Sequence, residues 1–141
     1  MASLVASWSK DPSTKCGCVI VDSDNNQIGS GYNGFPKGME DTRYRYADRA
    51  FKNRHVKHAE ENTLLTCRLI PDGCHVYVTH PPCTGCLGSL RQKKIFTVVA
   101  YEPTEDFASR WDQEECSELA QELGISVLLL PRIDNLLSQS V

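Results

Sequence analysis

From residue 58 to residue 130 the sequence alternates between helical and strand patterns three times, and this alternation restricts the fold more than any other feature of the chain. A helix is expected to open near His58 and run through residues 62–69, with Pro71, Asp72 and Gly73 closing it. Strand patterns follow at 75–80, 95–101 and 125–130, separated by helical patterns at 84–93 and 110–123, and Gly124 stands where the last helix should end. Strands joined through helices run parallel, because the crossover helix returns the chain to the same end of the sheet. Upstream, residues 16–22 and 27–32 flank a turn at 23–26 and read as a hairpin. Ala2–Trp8 reads as a short helix broken by Asp11, Pro12 and Ser13, and a loop over 33–43 leads into a basic helical stretch ending at Lys57. The expected fold is α/β: a three-layer α/β/α sandwich with a five-stranded mixed sheet, helices on both faces, and antiparallel pairing only in the first hairpin. Such sheets place their sites at the carboxyl ends of parallel strands. Two helix starts, at His58–Glu60 and at Cys83–Cys86, are expected to carry chemistry there.

With 141 residues the chain suits a single domain, 1–141, with a peripheral tail from about residue 131. No apolar run approaches the ~18 residues of a membrane-spanning helix, and the first residues lack the basic start and apolar core of a secretion signal. The expected location is therefore cytoplasmic, with no membrane partner. The net charge of -3 is unevenly spread. Residues 37–57 hold seven basic and three acidic side chains, whereas residues 102–122 hold eight acidic side chains and one arginine. The acidic stretch reads as a solvated face. The basic stretch suits a small phosphate ligand better than a polynucleotide, which demands a broader basic footprint.

Seven cysteines at irregular spacing, with no export signal, argue against a disulfide framework. Only Cys83 and Cys86 have a spacing that asks for chemistry. A redox pair has no use for a distant His-x-Glu. A structural zinc site needs a fourth protein ligand, for which His55, His75, His80, Cys67 and Cys74 are all available. A catalytic zinc needs three protein ligands and an open position. His58-Ala59-Glu60 with Pro82-Cys83-Thr84-Gly85-Cys86 is similar to the H-x-E…P-C-x-x-C signature of zinc-dependent nucleobase deaminases, which favours the catalytic reading. In it His58, Cys83 and Cys86 hold Zn2+, and Glu60 carries protons. Helical periodicity alone prefers Glu61, three residues from His58, but a pocket beyond the helix end favours Glu60. His55, His75 and His80 read as surface or hydrogen-bonded residues.

Five segments, SKDPSTKCGCVIVD, GYNGFPKG, HAEENTLL, VYVTHPPCTGC and GISV, resemble the deoxycytidylate (dCMP) deaminases of the cytidine deaminase-like superfamily over about residues 9–130. The resemblance implies hydrolytic deamination of dCMP to dUMP and ammonia, supplying thymidylate synthesis, with one Zn2+ per subunit. It further implies that Asn33, Ala59, Thr14 and Lys15 contact the substrate. Regulated relatives take dCTP as activator and dTTP as inhibitor, with Mg2+ accompanying the triphosphate, and form hexamers. Gly31, Tyr32, Asn33 and Gly34 then mark the effector loop, and Arg43 and Arg49, with Arg45 and Lys52, supply phosphate contacts. Cys16 and Cys18 depart from the small or branched apolar residues common in the family, as does Thr63 from its alanine. A dual dCMP/dCTP deaminase and another cytidine-type deaminase are the nearest alternatives. A zinc-stabilised nucleotide sensor without turnover is the alternative of a different class, and it gives no reason for Glu60.

Overall fold

The computed structural model describes residues 1–132; most of the expected peripheral tail, residues 133–141, lies outside the described residues. The elements in chain order are α1 (Ala2–Ala6), β1 (Gly17–Val21), β2 (Gln27–Tyr32), α2 (Arg43–Ala47), α3 (Arg49–His55) and α4 (Ala59–Thr66). They continue with β3 (His75–Val78), α5 (Thr84–Gln92), β4 (Thr97–Tyr101), α6 (Glu105–Ala108), α7 (Gln113–Leu123) and β5 (Ser126–Leu130). Among the described residues no helix is long and apolar enough to cross a membrane.

All five residues of β1, Gly-Cys-Val-Ile-Val, are buried, as suits an apolar run at the centre of a sheet covered on both sides. The sheet order is β2-β1-β3-β4-β5. β3, β4 and β5 pair in parallel as the alternation of patterns requires. The antiparallel character extends further than the hairpin, however, because β1 pairs antiparallel with β3 as well as with β2. The long connection between β2 and β3 carries the chain back to the far side of β1, so that β3 runs in the direction of β2. Cys18 is consequently flanked by Gly31 and Val78.

One sheet face forms the main core. Cys18, Ile20, Val76 and Val98 pack there with Leu87 and Leu90 of α5, Cys116 and Ala120 of α7, and Ile95 and Ile125 at the strand entries. The other face receives α1, whose Val5 packs on Val19 and Val21. Coverage of the two faces is thus unequal. In the row Val19–Tyr77–Val99–Leu128, Tyr77 and Leu128 remain 39% and 53% exposed.

Several elements are shorter than their patterns. α1 stops at Ala6 and α4 at Thr66, where Cys67 adopts extended backbone (φ -76°, ψ 124°). The basic stretch is two helices, because Asp48 leaves helical geometry and its carboxylate caps α3 by accepting from Phe51 N–H at 3.1 Å. The segment expected to be one helix over 110–123 begins instead at Gln113, capped by Asp112, and the short α6 precedes it, capped by Thr104. Gly124 ends α7 in the left-handed region (φ 73°).

The contact that most directly positions the functional end of α4 is at Gly31. A Cβ there would lie 2.6 Å from Thr63 N, 2.7 Å from Thr63 Oγ1 and 2.9 Å from Ala59 O. β2 therefore presses on the first turns of α4 with no room for a side chain. Gly31→Ala is expected to cost about 1–3 kcal/mol through overpacking, read as a lower thermal unfolding midpoint. An unchanged midpoint would contradict this packing.

Candidate active site

His58 precedes α4 and Cys83 precedes α5, both with extended backbone that turns their side chains beyond the helix starts. His58 Nδ1 lies 3.4 Å from Cys86 Sγ and 3.4 Å from Cys83 Sγ. The three ligand atoms all fall within 4.8 Å of one another, and among the described residues this is the only such group of three or more. His55, His75, His80, Cys67 and Cys74 do not belong to it. Zn–N bonds of ~2.0 Å and Zn–S bonds of ~2.3 Å at tetrahedral angles put nitrogen and sulfur about 3.5 Å apart. The observed separations fit a zinc ion bound by three protein atoms with a fourth position open.

The donor chemistry agrees with the distances. Cys83 Sγ accepts from Cys86 N–H at the start of α5, and hydrogen bonds from Cys86 and then His58 push the Cys83 thiol down to about 4. The bond to Cys83, with burial, pushes Cys86 up, and the same Cys83 contact raises His58 to about 9. Two thiols and an imidazole this close compete for protons. A divalent cation at their centre relieves that competition.

Glu60 is 6% exposed beside this group, and burial pushes its carboxyl up to about 7. Glu61, which simple periodicity preferred, does something else. Its carboxylate accepts from His58 N–H at 3.2 Å and lies 3.7 Å from Lys57 Nζ, so it caps the helix from outside. Glu60 is left facing the cleft.

That cleft has a volume of about 300 Å³, and its walls include Thr14, Asn33, His58, Ala59, Glu60 and Cys83. A larger hollow of about 510 Å³ lies on the opposite sheet face, lined by residues such as Val19, Tyr77 and Tyr101, and none of the ligand group reaches it. Asn33 is largely committed to the protein. Its Oδ1 accepts from Cys16 N–H at 2.8 Å, while its amide nitrogen donates to Thr14 O at 2.8 Å and reaches Asp11 Oδ2 at 3.5 Å. Only a lone pair on Oδ1 remains for a ligand.

Lys15 is not among the cleft residues: its ammonium donates to the Ser9 carbonyl. Lys52, expected among the outward phosphate contacts, instead lines the cleft and pairs with Asp11 at 3.3 Å, the two side chains 10% and 4% exposed. A lysine this buried is held by its partner, and the partner lies 41 residues away in sequence. The effector-loop residues separate. Gly31 packs on α4, exposed Tyr32 meets Trp8 edge-on at 6.4 Å, Asn33 faces the cleft, and Gly34 bridges to Lys57. Arg43 and Arg49 are exposed and do not line the cleft.

The acidic stretch is not only a solvated face. Phe107, Arg110 and Trp111 line the cleft, and Trp111 Nε1 donates to Pro82 O at 3.3 Å, fastening the segment beside the Cys83 turn. Their spacing of i, i+3 and i+4 on one side of an otherwise charged stretch was the available signal.

Residues 1–102 match the family described as the cytidine and deoxycytidylate deaminase zinc-binding region, which includes all three candidate ligands and Glu60. An uncharacterized deaminase in the luxG 3′ region of Aliivibrio fischeri is 40% identical over 136 residues, covering 93% of this chain and 89% of that protein. A probable deoxycytidylate deaminase of Caenorhabditis elegans is 40% identical over 115 residues, 78% of this chain and 58% of that protein. Against the animal proteins the chain thus spans less than two thirds of their length, 59% for the human deoxycytidylate deaminase. In fold, the dCMP deaminase of cyanophage S-TIM5, solved with dCMP and dUMP, superposes with a TM-score of 0.73 at 23% identity, covering 92% of this chain and 90% of that one. The five-stranded mixed sheet is therefore the cytidine deaminase-like one. With the family match spanning both motifs, and the His-Cys-Cys group folded as a zinc site requires, the chain belongs to the cytidine and deoxycytidylate deaminases.

Proposed function

We propose that the protein deaminates dCMP to dUMP and ammonia, with zinc held by His58, Cys83 and Cys86 and with Glu60 as the proton carrier. The observation that carries this reading is the buried Glu60 carboxyl standing beside a three-atom ligand group at the end of an open cleft. Zinc, when bound, acidifies water so that hydroxide is available near neutral pH. The rest falls to the chain's own residues. Glu60 accepts a proton from the attacking water and delivers it to N3 of the cytosine ring while oxygen bonds to C4. It then takes the remaining proton from the C4 hydroxyl and hands it to the amino group, the C4–N bond breaks as the C4 carbonyl forms, and ammonia leaves. A carboxyl pushed up to about 7 by burial suits both directions of transfer. Ala59 forms the wall beside the ring, and Asn33, through its remaining lone pair, accepts from a sugar hydroxyl. Thr14, across the cleft, faces the 5′ side.

The reading includes supply of dUMP for thymidylate synthesis in the cytoplasm, a homo-oligomeric assembly such as a hexamer, and control by dCTP as activator and dTTP as inhibitor. Exposed Tyr32, Arg43 and Arg49 support a triphosphate contact, with Mg2+, outside the cleft, while Gly31, Asn33 and Gly34 tie that surface to it. Ammonia release from dCMP, dCTP, cytidine, cytosine and adenosine tests substrate choice, and dCMP is expected to be turned over fastest. Adding dTTP should lower that rate and dCTP restore it. A ranking led by another compound would overturn the substrate assignment, and a rate indifferent to both triphosphates would remove the regulation.

A further inference from the structure

Two side chains in the cleft, His80 and Arg110, have no task in the reaction as described. What they can do follows from the hydrogen bonds around them, and the inference rests on the reading of the substrate as a 5′-monophosphate.

Thr79 Oγ1 accepts from Gly17 N–H at 3.1 Å, which leaves its own hydrogen to donate. His80 Nδ1 lies 3.0 Å from that hydroxyl and 3.4 Å from Cys16 Sγ, between two groups that each carry a hydrogen. Nδ1 is thus engaged within the protein, and Nε2 is the ring nitrogen left for a ligand. Nε2 has no partner among the described residues, yet the one buried side-chain polar atom without a partner there is Thr42 Oγ1. Nε2 is thus open to the space that His80 lines, which is the cleft. Burial and the charges of Arg132 and Arg110 push His80 down to about 4, so the ring is neutral at physiological pH.

Arg110 is the single cation between residues 102 and 122. Its Nη2 reaches Thr14 Oγ1 at 3.2 Å, and Asp106 Oδ2 fixes the guanidinium at 2.9 Å. Phe107, one turn earlier, stacks against the His80 ring at 5.0 Å. Behind His80, Arg132 donates to Thr79 O at 3.0 Å and to Glu102 O at 2.7 Å, both carbonyls and neither a charge. The Lys52–Asp11 pair is internally neutral, and Glu60 stands by the ligand group. Arg110 is therefore the cation that lines this end of the cleft, with Asp106 as its counter-ion, and Arg132 adds positive charge from behind His80.

We propose that Arg110 and His80, with the Thr14 hydroxyl, form the subsite for the substrate's 5′-phosphate, and that they set the preference for nucleotide over nucleoside. Arg110 supplies charge, and His80, accepting at Nδ1 from Thr79, donates from Nε2. Lys15, bonded to Ser9, does not contribute.

The test compares wild type, Arg110→Gln, His80→Leu and His80→Gln on dCMP and on deoxycytidine, with calorimetric binding of dUMP and deoxyuridine as a readout independent of turnover. Loss of one charge-assisted hydrogen bond is worth roughly 10- to 100-fold. Arg110→Gln is expected to lower kcat/KM for dCMP by that factor, chiefly through KM, and to shrink the dCMP-over-deoxycytidine preference and dUMP affinity in parallel. His80→Gln, whose amide nitrogen replaces Nε2, is expected to retain more dCMP activity than His80→Leu. A wild type that prefers dCMP while Arg110→Gln and His80→Leu keep that preference overturns the subsite alone. A wild type with no preference for dCMP overturns the nucleotide reading and the subsite with it.

Discussion

Glu60→Gln is expected to keep one zinc per chain and an undiminished thermal midpoint while turnover of dCMP falls by roughly 10²–10⁴-fold. The zinc is untouched because the ligand atoms come from His58, Cys83 and Cys86. The fold is untouched because Gln matches Glu in size and removes an ionisable group from a site where burial already disfavours its charge. What disappears is the group that takes a proton from water and returns one to the leaving amine. Turnover, metal content and unfolding measured on one preparation separate these contributions. Near-normal turnover in this variant would remove Glu60 from the mechanism.

His58→Ala or Cys86→Ala acts on the other half of the site. Each removes one of three ligand atoms that lie within 4.8 Å of one another. The loss in zinc affinity is expected to exceed the roughly 10- to 100-fold penalty of deleting a group that merely supports a ligand. Dialysed protein should then contain little zinc and show no turnover. Its thermal midpoint should also fall, because a bound metal adds a tie between the starts of α4 and α5. Chelation of the wild type should give the same drop, reversed by added zinc. Full zinc content in either variant, measured by atomic absorption, would contradict the ligand assignment.

The features readable from sequence were those written in local periodicity or short spacing. The alternation over residues 58–130 led directly to the parallel β3-β4-β5 sheet, and the two motifs picked out the three side chains that the fold brings together and Glu60 buried beside them. What escaped depends on partners distant in the chain. β1 lies against β3 because the connection from β2 returns on its far side, and nothing within either strand encodes that pairing. Lys52 looked like one more surface cation until Asp11, folded over it from the first loop, made it a buried wall of the cleft. Asn33 lines the cleft as expected, but its second task, holding Cys16, Thr14 and Asp11 in place, depends on partners 17 to 22 residues away. The charge of the 102–122 stretch masked two aromatic side chains and an arginine on one side of it.

Every residue role assigned to the cleft depends on one reaction, the deamination of dCMP. Zinc-replete protein, one ion per chain, incubated with dCMP, is predicted to release ammonia and dUMP in equal amounts, with the Glu60→Gln variant reduced to a small fraction of that rate. Zinc-replete, folded protein that leaves dCMP unchanged would contradict it.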